Sequence, residues 1–139
     1  MRTAIDTNVL SAVWGREANA EGIADFLDAA GAQGALVISP IVYVEARAHP
    51  SMNEAAMHEF LNEMRIEVDW ALEQPVWLLA GERFEQHALR RRRQAAGEPR
   101  RFPADFLVGS HALLNANRLV TLDQRIYRRD FPELTLVEL

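Results

Sequence analysis

The feature that most constrains the fold is the regular alternation of short apolar runs with longer helical segments. Arg2 to Ile5, Ala35 to Ile38, Ile66 to Trp70, Leu119 to Leu122 and Leu134 to Val137 are strand-sized and bounded by polar or turn residues. Between the first two, Ala20 to Ala32 sets Ile23, Phe26, Leu27 and Ala30 on one helical face, with Gly31 and Gly34 as the stop. Ser39-Pro40 reads as an N-cap followed by proline at the first helical position, opening a helix that carries Glu45 and ends before Pro50. A further helix starts near Ser51, in capping-box spacing with Glu54, and buries Met57, Phe60, Leu61 and Met64. Pro75 opens a long helix that runs to Arg90 through Arg93 and is broken at Gly97-Glu98-Pro99. Pro103 starts one that runs to Asn117, and Phe131-Pro132 turns the chain into the last strand. Strands separated by helices pair in parallel, because parallel neighbours need a crossover. The expected class is α/β, with helices on both faces of a mostly parallel sheet of about five strands.

At 139 residues the chain has the size of one domain, read as residues 1–139, with no repeat or linker. Absence of cysteine excludes disulfides, thiolate metal sites and cysteine nucleophiles, and fits a reducing cytoplasm. No stretch has the ~18 apolar residues of a membrane span, and the N-terminus lacks a leader pattern. The net charge of −5 argues against a nucleic-acid binder, but it is unevenly spread. Residues 1–89 hold 5 Arg and 14 acids, whereas residues 90–139 hold 10 Arg and 6 acids, so the C-terminal third can present a basic surface. All 15 basic residues are Arg.

In an open parallel sheet, ligands bind beyond the carboxyl ends of the strands. Four acids fall at that edge. Asp6 follows the first strand and Asp123 follows Leu119 to Leu122. Glu45 lies in the first two turns of the helix leaving the second strand, and Asp105 lies near N3 of the helix that returns to the Leu119 strand. Each has a structural alternative: Asp6 as an N-cap, Asp105 as a favourable charge on a helix dipole, Asp123 as a turn residue. Glu45 is harder to read that way, because it follows Ile41, Val42 and Val44, where an unpaired buried carboxylate is costly. Four converging carboxylates repel one another unless they take up protons or a cation. Oxygen-only ligation suits Mg2+ or Mn2+ better than zinc, and such an ion suits phosphodiester hydrolysis.

These motifs resemble those of the PIN-domain nucleases, in particular the VapC-like toxins of bacterial type II toxin–antitoxin systems. The resemblance runs over nearly the whole chain. It rests on Ala4-Ile5-Asp6-Thr7-Asn8-Val9-Leu10, Ile41-Val42-Tyr43-Val44-Glu45, Pro103-Ala104-Asp105-Phe106-Leu107-Val108-Gly109-Ser110-His111-Ala112 and Leu119-Val120-Thr121-Leu122-Asp123 with its sequel Tyr127-Arg128-Arg129-Asp130-Phe131. It implies a three-layer α/β/α fold, Mg2+- or Mn2+-dependent endoribonuclease activity on RNA, a homodimer and inhibition by a VapB-like antitoxin. It also implies Asp6, Glu45, Asp105 and Asp123 as the catalytic and metal-binding quartet, supported by Asn8 and Thr121. Asp130 is ambiguous: some members carry a further acid after the fourth motif, and the other reading is structural. A non-toxin PIN nuclease of RNA processing, or a catalytically silent binding module, remains the alternative.

Arg125, Arg128 and Arg129 follow Asp123 and are the candidates for RNA contact, ahead of Arg90 to Arg93 and Arg100-Arg101, whose other reading is a solvated helix end and loop. His111 lies about 240° around its helix from Asp105 and points away from the acids. His49, His58 and His87 show no metal-ligand spacing, and Trp14, Trp70 and Trp77 read as core or dimer anchors. Receiver domains and aspartate-nucleophile phosphatases also gather acids at a sheet rim but usually place a Lys beside the phosphate, and this chain has none. A P-loop hydrolase is excluded by the lack of a glycine-rich Gly-Lys-Ser/Thr segment.

Overall fold

The computed structural model describes residues 1–94 and 101–139. The expected break at Gly97-Glu98-Pro99, and Arg100, lie outside the described residues. The elements are β1 (Thr3–Ile5), α1 (Thr7–Trp14), α2 (Ala20–Gln33), β2 (Leu36–Ile38), α3 (Pro40–Arg47), α4 (Glu54–Met64), β3 (Ile66–Val68), α5 (Gln74–Arg93), α6 (Pro103–Asn115), β4 (Arg118–Val120), α7 (Gln124–Asp130) and β5 (Leu136–Val137). The strands form one sheet in the order β3-β2-β1-β4-β5, and every neighbouring pair is parallel. The result is the expected three-layer α/β/α arrangement. Thr3 is level with both Leu36 and Arg118, so the three central strands end together at one edge.

The connections explain the layers. The chain steps from β1 to β2 to β3 in one direction, then returns past β1 to reach β4 and β5. Right-handed crossovers put helices from opposite directions of travel on opposite faces. Ring contacts agree with that separation: Trp14 of α1 meets Phe60 of α4, whereas Phe84 of α5 meets Phe106 of α6, which meets Phe131 at the end of α7. Between them lie the fully buried Ile5, Ile38 and Leu119 of the sheet.

Several boundaries differ from the sequence reading for identifiable reasons. Asn53, rather than Ser51, caps α4, its Oδ1 accepting the Ala56 N–H at 2.8 Å. Ser51 instead lies 2.7 Å from the His49 ring. Gly31 lies inside α2, and Gly34 lies just past its end. A Cβ at Gly34 would sit 1.7 Å from the Met1 carbonyl oxygen, so glycine there permits the N-terminal segment to pass close by. Helix α6 stops at Asn115, and the strands shorten to two or three residues. Helices α1 and α7 were absent from the sequence reading, because their 8 and 7 residues are too few for a 3.6-residue period to stand out.

Candidate active site

Neighbouring strands β1 and β4 send the chain in opposite directions across the sheet, so the gap beyond their carboxyl ends is a topological switch point. The Asp6 N–H donates to the Val120 carbonyl at 3.0 Å and holds the mouth of this gap together. Asp6 is the N-cap of α1 and accepts the Thr7 N–H on Oδ1 at 2.8 Å. Its other oxygen does more. Oδ2 accepts the Thr121 hydroxyl at 2.8 Å and the Tyr127 hydroxyl at 2.9 Å, both in buried surroundings. The capping reading of Asp6 is therefore correct without being complete.

Thr121 joins this carboxylate to the β4 end. Its hydroxyl has one proton, given to Asp6, and two lone pairs, which accept the Asp123 N–H at 3.1 Å and the Asn8 side-chain amide at 3.4 Å. The Asn8 Oδ1 in turn accepts the Leu122 N–H at 3.1 Å. Asn8 and Thr121 thus pin the 121–123 segment to the first turn of α1. Asp123 sits at the N-cap position of α7, but its exposed carboxylate makes no capping bond, which leaves it available.

Glu45 corrects the sequence reading. Helix α3 turns Val42 and Ala46 to the core, so Val44 and Glu45 face outward, and Glu45 is exposed rather than buried among apolar neighbours. Its Oε1 accepts the Thr7 hydroxyl at 2.9 Å, which ties α3 to α1 beside Asp6. Asp105 occupies the first turn of α6, its N–H donating to the Phe102 carbonyl at 3.1 Å and its carboxylate lying near enough to the Phe102 backbone for that to oppose the rise in its pKa. Phe102, the N-cap residue, has no side-chain oxygen, and Asp105 three residues on is the one acid in the first turn, where the helix dipole favours negative charge.

The four acids sense one another electrostatically. Burial raises the pKa of Asp6, with the charge of Asp123 adding to it and the three hydrogen bonds opposing. Glu45 is raised as well, by partial desolvation of its carboxyl where it leans against α1, reinforced by Asp6 and Asp105 and opposed by the Thr7 hydrogen bond. Burial raises Asp105 too, reinforced by Asp6 and Asp123 and opposed by the charge of Arg101. The Tyr127 hydroxyl is pushed well above its ordinary value by burial and by Asp6, so it stays a proton donor. With Asp6, Glu45 and Asp105 all made harder to ionise by neighbouring carboxylates, the site is short of positive charge.

Whether the residues suit a cation turns on donor chemistry and openness. Among the described residues no three His, Asp or Glu side chains close into a ready metal cage. The donors are carboxylates around an open rim. That pattern fits a small hard ion that keeps several of its waters and takes few protein oxygens, as Mg2+ does. It suits zinc less well, because zinc favours nitrogen and sulfur donors and the four residues of this rim offer only oxygen.

The other residues singled out in the sequence separate clearly. Asp130 is buried and paired with Arg90. Arg83 donates to the Asp130 carbonyl at 2.7 Å and pairs with Glu133 at 2.8 Å. These contacts dock α5 onto the end of α7, so the Arg90 to Arg93 run begins with an arginine that works inside the fold. Arg125, Arg128 and Arg129 are exposed on α7, with Arg128 donating to Gln124 and pairing with Glu138 at 3.4 Å. His111 is buried with its Nε2 3.0 Å from Asp69, which also pairs with Arg2 at 3.1 Å. Trp14 packs against Phe60, but Trp70 and Trp77 are exposed and so are not core anchors.

Two residues of the cluster escaped the sequence reading. Thr7 carried a signal, a hydroxyl directly after Asp6 in the first turn of α1. Tyr127 carried a weaker one, lying four residues past Asp123 and so about one helical turn along α7.

A doubly wound parallel sheet with carboxylates gathered at its switch point defines the class: an α/β/α protein with an acidic rim site. The family model of the PIN domain matches residues 3–132, and the chain belongs to the PIN domain family. Among solved structures, the fold is similar to a chain of VapBC2 from Rickettsia felis bound to a DNA fragment from their promoter. That pair has a TM-score of 0.70 at 22% identity, covering 100% of this chain and 99% of that one. A chain of VapBC-1 from nontypeable Haemophilus influenzae matches with a TM-score of 0.66 at 22% identity, covering 99% and 98%. A chain of FitAcB from Neisseria gonorrhoeae matches with a TM-score of 0.66 at 18% identity, covering 98% and 96%. No curated protein sequence matches the chain.

Proposed function

We propose that this PIN domain is a Mg2+- or Mn2+-dependent endoribonuclease, acting in the cytoplasm as the toxin of a VapBC-type pair. The observation that carries the chemistry is the gathering of Asp6, Glu45, Asp105 and Asp123 at the switch point, with Thr7 joining Asp6 to Glu45 and Thr121 joining Asp6 to the Asp123 backbone. In this reading the four carboxylates are the catalytic and metal-binding groups. Asp6 is held from one side by Thr121 and Tyr127, Glu45 by Thr7, and Asp123 through its backbone by Thr121. A divalent ion bound there would supply the positive charge that activates water for in-line attack on a phosphodiester and offsets charge on the leaving oxygen.

Arg125, Arg128 and Arg129 extend from the same corner on α7 and are the proposed phosphate contacts. Arg125 leads Arg128, which already has Gln124 and Glu138 within reach. The similarity to chains of VapBC and FitAcB supports a VapB-like antitoxin as partner, and the homodimer is the form that the family resemblance implies. No helix among the described residues is long and apolar enough to cross a membrane.

The test is cleavage of single-stranded RNA by the purified protein with Mg2+, Mn2+ or chelator, beside Asp105→Asn. Wild-type cleavage that chelation stops and either ion restores, together with a folded but inactive Asp105→Asn, is expected. Equal cleavage by wild type and variant would overturn the assignment. Growth arrest on induction, relieved by co-expressing a short adjacent reading frame, tests the toxin role separately.

A further inference from the structure

We propose that Tyr127 is a positioning residue that selects which oxygen of Asp6 faces the metal ion. The inference rests on the metal-dependent reading above and extends it to a residue on α7. A carboxylate has about four lone-pair sites, two on each oxygen. On Asp6, both sites of Oδ2 are taken, one by the Thr121 hydroxyl at 2.8 Å and one by the Tyr127 hydroxyl at 2.9 Å. Among the described residues, Oδ1 accepts only the Thr7 N–H at 2.8 Å. The free acceptor site is therefore on Oδ1, and a cation is directed to that oxygen alone.

The hydroxyl reaches Asp6 because its ring is locked. Tyr127 is 1% exposed, and its ring lies 6.4 Å from that of Phe131, which is itself 1% exposed. Helix α7 is in turn fastened from the side by the Arg90–Asp130 pair and by Arg83 on the Asp130 carbonyl. The hydroxyl is thus delivered by packing, from 121 residues away along the chain. Without Tyr127 the carboxylate would keep one donor on each oxygen, the Thr7 N–H on Oδ1 and the Thr121 hydroxyl on Oδ2, and the second site of Oδ2 would be open to a cation. With Tyr127 added, the plane of the carboxylate is set by three donors on two oxygens.

The experiment measures Mn2+ binding by electron paramagnetic resonance in wild type, Tyr127→Phe and Phe131→Leu, with thermal melts of each and RNA cleavage at saturating Mn2+. Groups that orient metal ligands commonly contribute about 10- to 100-fold to affinity or activity. Tyr127→Phe is expected to weaken Mn2+ binding about tenfold or more and to lower kcat with little change in KM for RNA. Phe131→Leu, which loosens the packing of the Tyr127 ring but keeps its hydroxyl, should lower the melting temperature and weaken Mn2+ binding by less than Tyr127→Phe does. A folded Tyr127→Phe that binds Mn2+ as wild type does overturns the proposal while the nuclease reading stands. A wild-type protein that neither binds Mn2+ nor cuts RNA removes both. Should Tyr127→Phe not fold, Thr121→Val and Thr121→Ser probe the same oxygen. Weak binding in the first and recovery in the second are expected, and equal binding in both counts against control through Oδ2.

Discussion

Gly109→Ala is a single-methyl substitution whose consequence can be followed from packing to the acidic site. A Cβ at Gly109 would lie 2.4, 2.6 and 2.8 Å from three atoms of the Phe131 ring. Ordinary carbon contacts are about 3.5–4.0 Å, so the ring must retreat by ~1 Å. It has little room to do so. Phe106 and Tyr127 flank it at 6.1 and 6.4 Å between centroids, and the Arg83 guanidinium covers it at 5.3 Å. Overpacking of this kind costs about 1–3 kcal/mol, and a ring hemmed in on three sides puts this site at the upper end. For 139 residues the unfolding entropy is about 0.3 kcal/mol per degree, so Tm should fall by about 7–10 °C. The Phe131 N–H also closes α7 on the Tyr127 carbonyl at 2.8 Å, so ring displacement should reach the Tyr127 hydroxyl and weaken Mn2+ binding. Calorimetric melts of Gly109→Ala, Phe131→Leu and the double variant form the assay. The smaller side chain accommodates the methyl, so the two changes should be non-additive by about 1 kcal/mol or more. A Tm within about 2 °C of wild type, or strict additivity, would refute the reasoning.

Further outcomes follow from single sites. Asp105 is held above its ordinary value by burial and then by Asp6 and Asp123, so the folded chain binds that proton more tightly than the unfolded chain. Its contribution to stability is complete below the unfolded value of about 3.9 and is lost as pH rises through the folded value. Asp105→Asn should therefore gain stability relative to wild type from acid to neutral pH in chelator, as read by melts across that range. A constant difference would contradict this. Arg65 ends α4 with a φ of 56°, a left-handed conformation that strains any side chain, and Arg65→Gly should stabilise the fold by about 0.5–1 kcal/mol in urea titrations. Asp130→Ala leaves Arg90 without its buried partner, and with Arg90 itself partly exposed the cost should be about 2–3 kcal/mol. Its Mn2+ affinity should fall by less than that of Tyr127→Phe, and an equal or larger loss would return Asp130 to the metal site.

The order of strands and helices was legible in the chain because burial imposes periods of 2 and 3.6 on local sequence, and glycine, proline and capping residues mark the ends. The acids could likewise be put at one edge from local order alone, since each lies at a strand end or in the first turns of a helix. Partners are another matter. No local pattern announces that Tyr127 reaches Asp6, or that Arg90 pairs with Asp130. Nor does it show that α3 turns Glu45 outward to meet Thr7. Strand order had the same status: nothing in the segments themselves puts β1 between β2 and β4, yet that placement creates the gap where the acids meet. By itself, then, the sequence determined which residues had the chemistry and on which kind of element each would sit. Which carboxylate oxygen is left open, and which helix holds it so, was decided only when distant elements packed, because those contacts depend on three-dimensional neighbours rather than on spacing along the chain.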